Sequence, residues 1–112
     1  MNYNIKISKY GTKRYYVNEQ LHREDGPAEE YPNGDKLWYK NGQLHREDGP
    51  AVERANGDKY WYRNGKIHRE DGPAIEYKYG VKSWYLKGEF YGFDYDFTNK
   101  SWKSFVKTLI FS

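Results

Sequence analysis

Leu21-His22-Arg23-Glu24-Asp25-Gly26-Pro27-Ala28 recurs as Leu44 to Ala51 and again as Ile67 to Ala74, each copy starting 23 residues after the one before. A second segment keeps the same period: Gly34-Asp35-Lys36-Leu37-Trp38-Tyr39, Gly57-Asp58-Lys59-Tyr60-Trp61-Tyr62 and Gly80-Val81-Lys82-Ser83-Trp84-Tyr85. A fixed period of this length is the signature of a stacked repeat architecture, in which each unit buries its apolar face against its neighbours. Upstream, Gly11-Thr12-Lys13-Arg14-Tyr15-Tyr16 aligns with the second segment one period earlier; downstream, Gly88-Glu89-Phe90-Tyr91-Gly92 begins like a further unit and then diverges. Full repeats therefore sit between degenerate ends, as expected of units that must close a stack.

Each repeat reads as strand, turn, strand. Asn33-Gly34 and Asn56-Gly57 predict type I′ hairpin turns, whose two central residues both take positive φ. Asn41-Gly42 and Asn64-Gly65 mark a second turn per repeat, while Tyr79-Gly80 and Lys87-Gly88 keep only the glycine. The runs between turns, such as Leu37-Trp38-Tyr39 and Ala74-Ile75-Glu76-Tyr77, have strand composition. Alternation places Lys36, Trp38 and Lys40 on one face and Leu37 and Tyr39 on the other, and likewise Lys59, Trp61 and Arg63 against Tyr60 and Tyr62. Stacking then predicts a Trp ladder (Trp38, Trp61, Trp84) and, opposite it, a Tyr ladder (Tyr39, Tyr62, Tyr85) with Tyr16 as its first rung.

Beyond the repeats the pattern changes. Thr98 or Asn99 can cap a helix, and Trp102, Phe105, Val106, Leu109 and Ile110 follow helical spacing. One amphipathic helix is predicted over about 99–110, docked on the last repeat, with Phe90, Phe93, Tyr95 and Phe97 in the same closing cluster. The expected fold is mainly β: stacked antiparallel β-hairpin repeats of 23-residue period forming an elongated twisted sheet, with one C-terminal helix. The whole chain is read as a single domain, with 1–20 an N-terminal cap and half repeat, 21–92 the repeats and 93–112 a capping segment.

These elements together resemble the MORN repeat, which combines a Tyr- or Trp-rich strand, an Asn-Gly turn and a following glycine-containing strand. Asp48-Gly49-Pro50-Ala51 through Asn56-Gly57 to Trp61-Tyr62 is similar to the bacterial and viral variant of that repeat, and the HREDGPA form looks like repeats of bacteriophage and large-virus proteins. The resemblance covers roughly residues 10–92. It implies an elongated, twisted antiparallel sheet that serves as a scaffold or binding platform. In the family some members are implicated in lipid contact and some bacterial relatives in antitoxin roles, and small phage proteins often antagonise host defences. Here the segment between hairpins is the charged His-Arg-Glu-Asp run, where the common repeat is poorer in charge and richer in glycine.

Composition narrows the chemistry. Aromatic residues make up 20% of a chain that is only 37% apolar, with 13 tyrosines, which suits a thin sheet with half-wet faces. There is no cysteine, so disulfides, zinc–thiolate sites and cysteine nucleophiles are excluded. Net charge is +3 with acids and bases interspersed, unlike the one-sided excess usual for nucleic-acid binding, although Lys100, Lys103 and Lys107 make the C-terminal stretch more basic. No stretch is long and apolar enough to span a membrane and the N-terminus lacks a secretory h-region, so a cytoplasmic location is expected, the host cytoplasm if the protein is viral.

The His-Arg-Glu-Asp run holds residue types of hydrolases and metal sites. Equivalent histidines (His22, His45, His68) would lie about 10 Å apart if each repeat adds two strands, too far to share an ion. A site is also normally unique, whereas this motif is repeated. The structural reading gives Asp25, Asp48 and Asp71 a turn-stabilising carboxylate, and Gly26, Gly49 and Gly72 unusual backbone angles. It gives Arg23, Arg46 and Arg69 ion pairs with the adjacent repeat. No catalytic residue, metal site or cofactor is assigned.

The favoured expectation is a non-enzymatic binding protein, a phage-type inhibitor acting on a host (defence) protein through Tyr39, Tyr62, Tyr85, Arg46 and Arg69. The alternative is a sponge for a nucleotide signal or a nucleic-acid binder, using Trp38, Trp61 and Trp84 with Lys36, Lys59 and Lys82. The last is a small hydrolase. An open sheet edge near Tyr3 to Ser8 would also allow a homodimer.

Overall fold

The computed structural model describes residues 1–111, with side chains described as far as Leu109. Antiparallel pairing runs through the chain, and the strands of the main sheet follow one another in chain order. Asn4–Ile7 pairs with Lys13–Val17, and each repeat then adds two short strands to the same sheet. These are Glu29–Glu30 with Lys36–Leu37, Val52–Glu53 with Lys59–Tyr60, and Ile75–Glu76 with Lys82–Leu86; Glu89–Phe93 closes the series. With Gln20–Leu21, which pairs with the end of the Lys13–Val17 strand, the result is an open ten-stranded sheet in a body of 45 × 31 × 19 Å. The mainly β, elongated repeat fold expected from the period is what forms.

Two separate side hairpins recur between these strand pairs: Tyr39–Lys40 with Gln43–Leu44, and Tyr62–Arg63 with Lys66–Ile67. Trp38 and Trp61 are the points where one strand leaves the main sheet for this hairpin. The Trp38 N–H donates to Ala51 O at 2.7 Å, while Trp38 O accepts from the His45 N–H at 3.0 Å; Trp61 does the same with Ala74 and His68. Ala28, Ala51 and Ala74 have no exposed surface, which explains a side chain no larger than methyl at this junction.

The two turns of a repeat divide their labour differently from the sequence expectation. At Asn33-Gly34 and Asn56-Gly57 only the glycines take positive φ, 101° and 103°. The Gly34 N–H donates to Tyr31 O and the Tyr31 N–H to Asp35 O, a three-residue loop of type I turn plus glycine bulge rather than type I′. Asn33 contributes its side chain instead, Oδ1 accepting the Asp35 N–H at 2.9 Å. The type I′ turns are Asn41-Gly42 (52°, 79°) and Asn64-Gly65 (50°, 80°), where both residues are left-handed.

Across the main sheet one row alternates in charge: Lys13, Glu30, Lys36, Glu53, Lys59, Glu76 and Lys82 are successive cross-strand partners. Opposite charges facing across strands each contribute roughly 0.2–1 kcal/mol. The neighbouring row, on the other face, runs Leu37, Val52, Tyr60, Ile75 and is apolar, with Val52 and Ile75 buried.

The helix spans Asn99–Phe111. Thr98 caps it: Thr98 Oγ1 accepts the Ser101 N–H at 3.0 Å and Ser101 Oγ accepts the Thr98 N–H at 2.8 Å. Trp102 and Val106 are buried against Trp84 and Leu86, with Tyr91, Phe97 and Phe105 around them. Of the predicted apolar face, Leu109 is 41% exposed, and the side chain of Ile110 lies outside the described residues.

Candidate functional site

The His-Arg-Glu-Asp-Gly-Pro segments form three parallel loops along one side of the sheet, and each is built around an arginine. Arg46 lies over the Trp38 ring, Cζ 3.9 Å from the centroid; Arg69 lies over Trp61 at 4.0 Å and Arg23 over Tyr15 at 3.9 Å. In every loop Nε donates to the aspartate two residues on, and Nη1 to the proline carbonyl four residues on and the glutamate seven residues on. For Arg69 these contacts, to Asp71, Pro73 O and Glu76, measure 2.9, 3.0 and 3.0 Å. The arginines therefore pair within their own segment, not with the adjacent repeat as expected. Ring, carbonyl and two carboxylates hold the guanidinium at once.

This clamp also corrects the reading of the motif's glycines and aspartates. Gly26, Gly49 and Gly72 do not adopt positive φ. They are glycines because a Cβ would stand 2.9, 2.9 and 2.6 Å from Cζ of Arg23, Arg46 and Arg69. The aspartates serve the guanidinium first. Arg23 beside Asp25 holds that carboxyl below its ordinary range.

The histidines link repeats. Nδ1 of His22, His45 and His68 accepts the backbone N–H of Asn41, Asn64 and Lys87 in the next hairpin turn, at 3.0, 3.0 and 2.9 Å. An Nδ1 in that position is unprotonated, so the proton of the neutral ring sits on Nε2. Nε2 faces Glu24 and Glu47 at 2.7 Å, but Glu70 only at 3.8 Å. Burial pushes the His68 imidazole below its usual range. Asp35 Oδ1 adds a second link, accepting the Ala55 N–H at 2.6 Å, and Asp58 repeats it with Lys78.

Between successive loops lie open clefts of like construction. One, of 640 Å³, has Glu24 and Asp25 on one wall and Glu47 and Asp48 on the other, above Trp38 and Lys40. The next, of 460 Å³, repeats it with Glu47 and Asp48 facing Glu70 and Asp71 above Trp61 and Arg63. The third junction is closed. There Trp102 inserts, its Nε1–H donating to Arg69 O at 2.8 Å and its ring packing on Trp84 and Tyr91 at 5.4 and 5.9 Å. Those partners are the one-period counterparts of Arg46, Trp61 and His68, which line the open cleft. Gly92 stands where a fourth clamp arginine would be.

The residues singled out from sequence divide accordingly. Trp38, Trp61, Arg46 and Arg69 line the clefts, and Tyr39 borders the first. Trp84 is 1% exposed and belongs to the helix contact. Tyr39, Tyr62 and Tyr85 are half-buried. Burial and then the Glu29 carboxylate push the Tyr39 phenol up to about 12, and burial raises that of Tyr62. Lys36 and Lys59 face glutamates in the charged row. Lys40, Arg63 and the glutamates of the motif are cleft residues that the sequence reading passed over; their signal was recurrence at one position of the period.

Among the described residues no group of three His, Asp or Glu side chains is placed to hold a metal ion, and no helix is long and apolar enough to cross a membrane. Fold and clefts together define a class, a repeat protein of stacked antiparallel hairpins with a helical cap. No family model matches the chain, and neither a curated protein nor a solved structure is found similar to it.

Proposed function

We propose that the chain is a non-enzymatic binding protein that acts by contact with a protein partner, in its finer form a phage-type inhibitor of a host protein. The observation that carries this reading is the pair of like, open clefts on a scaffold whose motif side chains are already engaged in its own bonds. A general base needs a ring nitrogen free to take a proton, and here Nδ1 of each histidine already holds a backbone N–H. The inhibitor role rests on the HREDGPA resemblance. Nucleotide stacking on the Trp–Lys strip draws less support, because Trp38 and Trp61 carry guanidinium groups and their lysines face glutamates.

The test is affinity capture of the tagged chain from bacterial lysate, followed by reconstitution with the purified captured protein. A defined complex by light scattering, and a fall in the partner's activity on titration, are expected. Retention of nucleotides or nucleic acid without any protein would overturn the reading.

A further inference from the structure

We propose that the two open clefts are receptor sites for arginine side chains presented by a helical segment of the protein partner. This deepens the protein-binding reading and rests on it. The chain displays how such a cleft is filled, because at the third junction a helix supplies Trp102 as a flat, N–H-bearing ring. That ring donates to a loop carbonyl, packs on the cleft aromatics and is fully buried. The filling is visible in its effect on the loop: Gly72 and Pro73 are buried, whereas Gly49 and Pro50, and Gly26 and Pro27, remain half-exposed. Among the described residues no counterpart of Trp102 donates to Arg23 O or Arg46 O.

The lining sets the occupant's chemistry. At the closed junction the cleft is lined by Leu86 and Tyr91, which suit an indole; one period back the same positions are Arg63 and His68. Four carboxylates stand in the walls of each open cleft beside three cations, Arg46, Arg63 and Arg69 in one and Arg23, Lys40 and Arg46 in the other. Each lining therefore keeps one negative charge in excess, with the clamp arginines 18 to 23% exposed and paired to the aspartates. A guanidinium combines what these clefts ask for: a planar group that stacks on aromatics, N–H donors for a carbonyl, and positive charge for carboxylates. Spacing selects the geometry of the partner. Clefts one repeat apart are separated by about 10 Å, and residues i and i+7 on one helical face by about 10.5 Å.

The test uses the full chain and an alanine-glutamine helical peptide without aromatic residues, carrying arginine at i and i+7. A control peptide of equal composition carries them at i and i+5, on different faces. Binding is read from the indole N–H signals of the four tryptophans by two-dimensional NMR. Saturable shifts of Trp38 and Trp61, with Trp84 and Trp102 unmoved, are expected, together with roughly tenfold preference for the i, i+7 peptide. Glu47→Gln with Glu70→Gln should weaken it by a further factor of about ten. Unchanged Trp84 and Trp102 signals certify the fold of that variant, and Glu47→Gln alone serves if the pair is unfolded.

Absence of saturable shifts, equal affinity for both peptides, or unaltered binding by the glutamine variants would overturn the proposal. If a protein is captured from lysate equally well by wild type and the glutamine variants, the cleft assignment falls and the protein-binding reading stands. If the peptide seats in both clefts while no protein is captured, the cleft chemistry is supported and the proposed function alone is overturned.

Discussion

Gly72→Ala is the substitution that most sharply tests how the motif works. The added Cβ would lie 2.6 Å from Arg69 Cζ, 2.9 Å from Nη1 and 3.0 Å from Nε. The end of an arginine can usually swing aside, but this one is held by Asp71, Pro73 O, Glu76 and the Trp61 ring. Displacing it forfeits a cation–π contact worth about 0.5–2 kcal/mol and strains charge-assisted hydrogen bonds. Overpacking of this kind costs about 1–3 kcal/mol, so a loss of about 2 kcal/mol is expected. If the glycine served only backbone freedom, the sign would reverse. Its φ is not positive, and Gly→Ala at a compatible position stabilises by about 0.4–1 kcal/mol through the unfolded chain. Urea unfolding of wild type, Gly72→Ala, Arg69→Ala and the double variant closes a cycle. The double variant should be no less stable than Arg69→Ala alone. Stabilisation by Gly72→Ala, or an equal loss in both backgrounds, would refute the clamp.

Acidification should weaken the last repeat junction, held by His68. The folded pKa of His68 lies below its ordinary 6.5 because burial outweighs Glu70, with Arg63 and Lys87 acting in the same sense as burial. The unfolded chain therefore takes up the proton first, stability falls as pH drops through about 6.5, and the loss levels off below the folded pKa. Urea midpoints from pH 8 to 5 should show a shallower slope in His68→Asn, whose amide oxygen can still accept the Lys87 N–H; an identical slope would remove His68 from the explanation. Trp102→Ala should cost about 3–5 kcal/mol and lower the thermal midpoint by well over 10 °C at about 4–8 °C per kcal/mol; a change of a few degrees would show that the helix contributes little to closing the stack. In an ultraviolet titration, Tyr39→Phe should remove one phenol that ionises near 12, and an unchanged late phase would place that phenol elsewhere.

The period, the strands between turns and the capping helix were legible because each is written in local spacing. Trp102 and Val106 fall on one helical face, and the helix predicted over 99–110 is observed at Asn99–Phe111. The clamp was not legible for a physical reason. Arg46 meets Trp38 eight residues back and Glu53 seven residues on only because the loop folds over the bend at Trp38, and side chains so spaced do not touch along a regular helix or strand. The same holds for Gly49, whose reason is a neighbour in space rather than a backbone angle. Turn type was misassigned because Asn-Gly suits both a two-residue loop and the bulged three-residue loop, and the loop length that decides between them depends on where pairing resumes. Alternation alone predicts a uniform Trp ladder, yet Trp84 is covered by Phe97 and Trp102 where Trp38 and Trp61 are covered by arginine.

The hydrogen bonds of the arginine clamp close within a single unit, while histidine and Asp35-type links pass the same two kinds of bond to whichever unit follows. Length is therefore a free variable of this architecture. Duplicating residues 44–66 would insert one more unit in register, leave both caps as they are and add one cleft; deleting them would subtract one. A lineage can in this way tune the valency of its binding face by whole-number steps, without inventing a new contact at any of them.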